Sequence, residues 1–217
     1  MIKIDLCKEP NAILNVLCLG AHSDDIEIGC GGTLLRLIDE HPLLNIFWIV
    51  FGANGRRINE AQKSAELFLS GVSEKHVEIK GFQDGYFPYI GAEIKDCFEE
   101  LKGQFSPDLI FTHYRKDLHQ DHRLIEELTW NTFRNHLILE YEIPKYDGDL
   151  GAPNYYVCLD EATATKKVNY LNESFATQRD KYWFKEDTFL SLMRVRGVEA
   201  RSANQYAEGF YAYKIVQ

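Results

Sequence analysis

The chain has 217 residues, of which 45% are hydrophobic and 26% charged, and its formal net charge is −9 at pH 7. This length fits one domain with a sizeable core, and the composition excludes a disordered chain. The acidic charge and the lack of any Lys/Arg-rich block oppose contact with a phosphate backbone, so we expect no nucleic-acid partner.

The N-terminal segment has only a short apolar run that leads into a polar motif, which is not the pattern of a cleavable signal. No run approaches the roughly 18–20 apolar residues of a membrane span. The five cysteines are widely spaced and lack a CxxC pair, which predicts free thiols and a reducing compartment. We therefore expect a cytoplasmic protein without a membrane span.

Short apolar runs alternate with amphipathic stretches of helical length through the first two-thirds of the chain. The predicted strands are Ile13–Leu19, Leu43–Phe51, His76–Ile79 and Asp108–Thr112. The predicted helices are Gly32–Asp39, Asn59–Leu69, Glu93–Lys102 and His122–Asn135. This alternation predicts an α/β fold, namely a three-layer Rossmann-like sandwich with helices on both faces of a mostly parallel sheet.

Beyond Tyr141 the alternation loosens, and a Gly/Pro/Asp-rich stretch runs from Pro144 to Pro153. One further strand and two further helices are predicted at Tyr155–Leu159, Glu161–Glu173 and Glu186–Arg196. The sequence shows no internal repeat and no flexible linker. We therefore expect residues 1–217 to form a single domain, with residues 141–217 as a C-terminal accessory layer.

The first polar motif is Ala21-His22-Ser23-Asp24-Asp25-Ile26-Glu27, where the first predicted strand ends. In open α/β sheets, ligands bind outside the carboxyl ends of the strands. One imidazole and two carboxylates within four residues suit Zn²⁺ or a similar divalent metal. Alternatively, Asp24 or Asp25 is an N-cap of the following helix.

The second motif, Asp117-Leu118-His119-Gln120-Asp121-His122, also follows a predicted strand and opens a predicted helix. In a helical turn His119 and His122 share a face, because positions three apart are neighbours. An N-cap is again the alternative for Asp121. Two His/Asp clusters at two strand ends together predict a shared metal site.

Two further segments lie near these motifs. Gly29-Cys30-Gly31-Gly32 lacks the third glycine of a dinucleotide-binding G-x-G-x-x-G, so we interpret it as a tight backbone turn beneath the metal-binding loop. The segment Gln83–Tyr89 is predicted to be a loop after the third strand, which lines the pocket or forms a subunit contact.

The two motifs resemble the A-H-P-D-D-x-E and H-x-D-H signatures of the LmbE-like, or PIG-L-type, zinc-dependent de-N-acetylases. The resemblance covers residues 13 to 135 well and includes Arg57-x-x-Glu60, whereas later only Tyr206–Phe210 is similar to a family ending. Ser23 and Gln120 stand where the family usually has proline, and neither position supplies a metal ligand.

The resemblance implies one Zn²⁺ per chain, with Fe²⁺ or Co²⁺ as alternatives, and it implies a role for each residue of the motifs. These roles are zinc ligand for His22, Asp25 and His122, general base for Asp24, oxyanion stabiliser or proton donor for His119, and orientation of a histidine for Asp121. Arg57 is a candidate substrate-binding residue or an exposed helix arginine paired with an acid. His113 and Asp117 either orient ligands or are ordinary loop residues.

The implied activity is hydrolysis, by metal-activated water, of an N-acyl group, expected to be N-acetyl, on a small amino-sugar compound. The expected substrates are N-acetylglucosaminyl sugars, glycosides and nucleotide sugars. A homo-oligomer is possible, and the sequence does not decide it. A metal-dependent phosphoesterase is one alternative, although it needs a second metal about 3.5–4 Å from the first and therefore more ligands. A non-catalytic sugar-binding protein that retains the site is the other.

Overall fold

The computed structural model describes residues 12–216 of the chain. Its strands are β1 (Leu14–His22), β2 (Leu44–Gly52), β3 (Glu74–Ile79), β4 (Leu109–His113), β5 (Leu137–Tyr141), β6 (Tyr155–Leu159) and β7 (Tyr206–Tyr211). Its α-helices are α1 (Asp25–Glu40), α2 (Arg56–Phe68), α3 (Gly91–Gln104), α4 (Gln120–Thr132), α5 (Glu161–Ser174) and α6 (Glu186–Glu199). Two 3₁₀ turns lie at Phe87–Tyr89 and Ala176–Gln178.

The strands form one sheet in the order β3-β2-β1-β4-β5-β7-β6. Neighbours from β3 to β5 run parallel, whereas β7 is antiparallel to both β5 and β6. The strand order reverses between β1 and β4, and ligands of open α/β sheets bind at such a reversal. The predicted mostly parallel α/β sheet is confirmed.

Helices cover both faces of this sheet because successive residues of each strand point to opposite sides. Val16 and Cys18 of β1 belong to a hydrophobic core that also includes apolar side chains of α1, α2, α5 and α6. Leu17 and Leu19 belong to a second core, shared with α3 and α4. The sheet is therefore the middle of three layers, as predicted.

Helix α1 begins at Asp25, seven residues before the predicted start at Gly32. The interpretation of the glycine-rich segment as a tight turn is wrong, because these glycines lie inside the helix and pack against other elements. A Cβ atom at Gly29 would lie 2.1 Å from Cδ2 of Tyr141, and one at Gly31 would lie 2.7 Å from Cε1 of Phe68. The glycines allow α1 to approach β5 and α2 closely.

A buried ion pair joins this helix to the C-terminal part of the chain. Glu208 of β7 accepts the backbone N–H groups of Gly32 (2.9 Å) and Thr33 (2.7 Å). Lys167 of α5 lies 2.7 Å from the same carboxylate and donates to the carbonyl oxygen of Ile28 (2.6 Å). The pair supplies hydrogen-bond partners to the middle of α1 and so fixes the helix whose first turn carries the first motif.

Two strands were not predicted, β5 and β7, and β7 includes the family-like ending Tyr206–Phe210. The residues after Tyr141 add β6 and β7 to the same sheet and α5 and α6 to one face; the division of the chain into domains stays a prediction. Within residues 12–216, no helix combines the length and apolar character needed to cross a membrane. The four cysteines in this range have free thiols, and Cys7 lies outside the described residues.

Candidate active site

The two polar motifs meet at the carboxyl ends of β1 and β4. His22 is the last residue of β1, and α1 begins three residues later. His113 is the last residue of β4, and the turn that follows leads into α4 at Gln120. Because β1 and β4 are paired, the structure brings the first and second motifs together.

Three candidate ligand atoms form a small triangle. Nδ1 of His22 lies 3.1 Å from Nε2 of His122 and 3.3 Å from Oδ2 of Asp25, and Nε2 of His122 lies 3.5 Å from Oδ2 of Asp25. All three residues are buried. Ligand atoms of a tetrahedral zinc site lie roughly 3.3 Å from one another, since each bond is about 2.0–2.1 Å long.

Carboxylates on the far side of both histidines orient the rings. Nε2 of His22 lies 3.1 Å from Oδ2 of Asp121, and Nδ1 of His122 lies 2.9 Å from Oδ2 of Asp117. A carboxylate only accepts hydrogen bonds, so in the neutral rings these outer nitrogens carry the protons. The inner nitrogens then face each other as two lone pairs, an arrangement that a cation stabilises. The donor set therefore fits a divalent metal.

The charges around the triangle favour either a proton on His22 or a metal ion. Although burial lowers it, the pKa of His22 is raised well above its usual value by the carboxylates of Asp25, Asp121 and Asp84. Burial raises the pKa of Asp25, yet His122, His113 and His22 hold it well below the usual value. A proton at His22 and a metal ion in the triangle thus compete for the same negative surroundings.

His113 lies beside the triangle rather than in a loop. Its ring stacks on that of His122 at a centroid distance of 4.0 Å, and its Nε2 lies 3.4 Å from Oδ2 of Asp25. That nitrogen also accepts the backbone N–H of Ala21 at 2.9 Å, so its lone pair is already in use. Burial, followed by the neighbouring charge of His122, lowers the pKa of His113. His113 therefore fixes the end of β1 beside the site.

Asp24 occupies the N-cap position of α1 but makes no capping hydrogen bond. Its Oδ1 accepts Arg57 Nη2 at 3.1 Å, whereas its buried Oδ2 has no hydrogen-bond partner within the described residues. Burial raises the pKa of Asp24, against the opposing effect of the Arg57 guanidinium. A carboxylate held through one oxygen leaves the other available for a water molecule or a substrate.

His119 and Asp121 lie at the start of α4, and His119 is the N-cap of this helix. The His119 side chain accepts the backbone N–H of Asp121 at 3.3 Å, so the suggestion that Asp121 is the N-cap is wrong. The carboxylate of Asp121 instead accepts the N–H groups of Gly85 (2.6 Å) and Phe87 (3.1 Å) besides contacting His22. Asp121 thereby connects the 85–87 loop to His22.

The ring of His119 stands at the partly exposed mouth of the site. It lies 4.6 Å from the ring of His122 and 4.9 Å from the ring of His22, measured between centroids. Burial, followed by the charges of His122 and His22, lowers the pKa of His119. The two rings are neighbours as expected, although His119 is the extended N-cap of α4 rather than part of a helical turn.

Arg57 and Asp84 form a polar wall beside Asp24. Arg57 donates from Nε to Ser23 Oγ (2.9 Å) and from Nη1 to Asp84 Oδ2 (3.2 Å), so its three donor groups hold protein atoms. Asp84 also lies 3.1 Å from Nε2 of His22. The sequence pattern predicted that the loop Gln83–Tyr89 lines the pocket or forms a subunit contact, but it did not single out Asp84, whose only signal was its place after the third strand.

Lys145 is a second residue that sequence reasoning missed. Its Nζ lies 2.9 Å from Oδ2 of Asp117, the oxygen that also contacts His122. Asp117 accepts the backbone N–H of His119 through its other oxygen at 2.8 Å. A lysine in a loop rich in Gly, Pro and Asp carries no sequence pattern that would have revealed this contact.

Comparisons with known proteins bear on the family and the fold of this chain. The sequence model of the PIG-L family, described as GlcNAc-PI de-N-acetylase, matches residues 17–133, more than half of the chain. The uncharacterized deacetylase YaiS of Escherichia coli is 25% identical over 146 residues, which are 64% of this chain and 79% of that protein.

Two solved structures illustrate the likeness of fold. N,N'-diacetylchitobiose deacetylase from Pyrococcus horikoshii aligns with a TM-score of 0.69 and 22% identity over 92% of this chain and 83% of its own. GalB, the 4-carboxy-2-hydroxymuconate hydratase from Pseudomonas putida, aligns with a TM-score of 0.69 and 17% identity over 94% and 98%. At such identities these two likenesses show the fold alone, whereas the match over residues 17–133 shows that the chain belongs to the PIG-L, or LmbE-like, family of de-N-acetylases.

Proposed function

We propose that this protein is a metal-dependent hydrolase that removes an N-acetyl group from an amino-sugar compound. The observation that carries the proposal is the triangle of His22, Asp25 and His122, with the two rings oriented by carboxylates so that their free nitrogens converge. Membership of a de-N-acetylase family supports amide hydrolysis as the reaction.

His22, Asp25 and His122 would hold the metal. Two imidazole nitrogens and one carboxylate oxygen are the donors of many catalytic zinc sites, and Fe²⁺ or Co²⁺ accept the same donors. When bound, such a metal supplies Lewis-acid activation of a water molecule and of the amide carbonyl. Asp117 and Asp121 would keep the two rings in the orientation in which they bind it.

Asp24 is the residue that we assign as general base. Its Oδ2 is free of hydrogen bonds within the described residues, while Arg57 holds Oδ1 and so fixes the plane of the carboxylate. A fixed carboxylate with one free oxygen can take a proton from an attacking water molecule. Burial, which raises the pKa of Asp24, makes it a stronger base than an exposed aspartate.

We assign His119 to the stabilisation of the negative charge that develops on the carbonyl oxygen, or to the protonation of the departing amine. Its ring lies at the mouth, close to the rings of His22 and His122, and its Nδ1 accepts the N–H of Asp121. Nε2 is thus the atom directed to a substrate, and in its protonated form it donates a hydrogen bond to the oxyanion or a proton to the amine.

The substrate class comes from the relatives. The family description names a GlcNAc-PI substrate, and one structural neighbour is a deacetylase of N,N'-diacetylchitobiose, so both names contain N-acetylated amino sugars. Arg57 and Asp84 lie beside Asp24, and a hydroxyl-rich ring would find donors in the second N–H of each Arg57 Nη atom and an acceptor in the exposed Asp84 carboxylate. We propose that these two side chains bind the sugar hydroxyls.

Acetate release from a panel of N-acetylated sugars, glycosides and nucleotide sugars tests this function. We expect release from at least one N-acetylglucosaminyl compound, loss of release after chelation, and recovery when Zn²⁺ is returned. Because a hydratase has the same fold, product identity has to be measured rather than inferred. Binding of two ions per chain together with phosphate-ester cleavage would support the phosphoesterase instead, and sugar binding without turnover would support the non-catalytic alternative.

A further inference from the structure

The segment between β5 and β6 contacts the site through one largely buried lysine side chain. The side chain of Lys145 is 9% exposed, and its Nζ pairs with the buried carboxylates of Asp117 and Asp149. Burying an ammonium group is costly unless it is paired, so these two carboxylates determine where the Lys145 side chain can lie.

Both carboxylates bind the turn that leads into α4. Asp149 accepts the backbone N–H of Leu118 at 2.7 Å, and Asp117 accepts the backbone N–H of His119 at 2.8 Å. Lys145 lies between them and joins the 145–149 segment to the turn by charge-assisted hydrogen bonds. The 145–149 segment therefore fixes the turn before α4.

The contact continues to the triangle through a single oxygen atom. Oδ2 of Asp117 lies 2.9 Å from Lys145 Nζ and 2.9 Å from Nδ1 of His122. If the Lys145 ammonium were absent, this carboxylate could rotate toward other donors and would fix the His122 ring less tightly. Partners that orient a metal-binding histidine in this way strongly affect metal affinity.

We propose that Lys145 is a positioning residue that raises the metal affinity of this protein by holding Asp117 against His122. The inference rests on the proposed function only in taking His122 as a metal ligand. It assigns to the segment after β5 a contribution to the site, although no residue of that segment belongs to either motif.

The sign of the effect separates positioning from simple electrostatics. Lys145 carries a positive charge close to a cation site, so its charge alone repels the metal, and removing it would tighten binding. If Lys145 acts by positioning Asp117, its removal weakens binding instead. The two explanations thus predict opposite changes for the same variant.

The test measures the Zn²⁺ dissociation constant of the full-length protein by competition with a chromogenic chelator at one pH. Lys145→Met is expected to weaken binding about tenfold. Lys145→Arg, which keeps a charged donor for Asp117, is expected to recover most of the affinity. Lys116→Met is the matched control, since Lys116 is exposed, adjacent to Asp117 and without an ion pair in the described part of the chain.

Binding by Lys145→Met that equals or exceeds the parent affinity overturns the proposal, as does a Lys145→Arg variant that is as weak as Lys145→Met. If Lys145→Met does not fold, Lys145→Gln replaces it, because it removes the same charge and keeps a polar group in the buried position. Zinc binding by the parent protein without acetate release would overturn the proposed function but not this inference; a parent that binds no zinc overturns both.

Discussion

Nδ1 of His22 lies 3.1 Å from Nε2 of His122, although the two residues are 100 positions apart in the sequence. The parallel pairing of β1 with β4 produces this contact, because His22 ends β1 and His122 lies in the first turn of α4, the helix that follows β4. Two unprotonated imidazole nitrogens at this distance repel each other, whereas a shared cation makes the same arrangement favourable. Metal binding and stability of the fold should therefore be linked.

Zinc should stabilise the parent protein against thermal unfolding, because a ligand that binds only the folded state adds about 2.7 kcal/mol at a hundred times its dissociation constant. His122→Ala should abolish most of this stabilisation. The measurement is the melting temperature with chelator and with added Zn²⁺. His76→Ala removes an exposed imidazole far from either motif in the sequence and serves as the control. Equal zinc-induced shifts in parent and His122→Ala would contradict the ligand assignment.

Asp24→Asn should leave metal binding intact and lower acetate release by roughly a hundredfold or more, since general-base catalysis contributes about 10²–10⁴ in rate. The amide can still accept a hydrogen bond from Arg57, so the pocket should keep its shape. Asp39→Asn, at the exposed end of the same helix, is the control. Unchanged turnover by Asp24→Asn would exclude Asp24 as the base.

The fold class could be predicted from the sequence because its signal is local. Buried parallel strands such as Leu44–Gly52 are continuous apolar runs, and the helices between them are amphipathic. Strand β7 lacked such a signal: it is six residues long, contains the charged Glu208 and pairs antiparallel between β5 and β6. Its position depends on long-range contacts, including the buried pair of Glu208 with Lys167, which no sequence period records.

The candidate ligands could be predicted because the two motifs concentrate His and Asp at strand ends. Asp84 and Lys145 could not, because each is a single charged residue in a loop, and such residues are ordinarily solvated. The start of α1 was misplaced for a related reason. Glycine lowers helix propensity, and the packing of Gly29 on Tyr141 overrides that preference in the folded protein.

The glycines of α1 give a stability prediction. Gly29→Ala places a methyl group 2.1 Å from an aromatic carbon of the fully buried Tyr141, and overpacking of this kind costs about 1–3 kcal/mol. Gly103 of α3 has no atom within 4 Å of an added Cβ, so Gly103→Ala should instead stabilise by about 0.5–1 kcal/mol. Denaturant unfolding of both variants measures the difference. A stabilising Gly29→Ala would disprove the close packing of α1 on β5.

Glu126 of α4 gives a pH-dependent prediction away from the triangle of His22, Asp25 and His122. Burial, followed by the nearby carboxylate of Glu140, raises the pKa of Glu126 from 4.5 to about 8, although Arg115 opposes this shift. Below pH 4.5 the carboxyl is protonated in both the folded and the unfolded chain. Between pH 4.5 and about 8 only the unfolded chain ionises readily, so the folded protein loses stability as the pH rises through this range.

Glu126→Gln removes this ionisation, and its free energy of unfolding relative to the parent should therefore rise from pH 5 to pH 8 and then level off. Below pH 4.5 the parent Glu126 is protonated and forms no ion pair with Arg115, which lies 3.6 Å from its carboxyl group, so the two proteins should differ little in stability there. Glu127→Gln, on the exposed face of the same helix, measures the effect of losing a carboxylate from α4 without disturbing the buried cluster. The decisive quantity is the slope, against pH, of the difference in free energy of unfolding between Glu126→Gln and the parent. A difference that does not change with pH would show that Glu126 is ionised in the folded protein throughout this range.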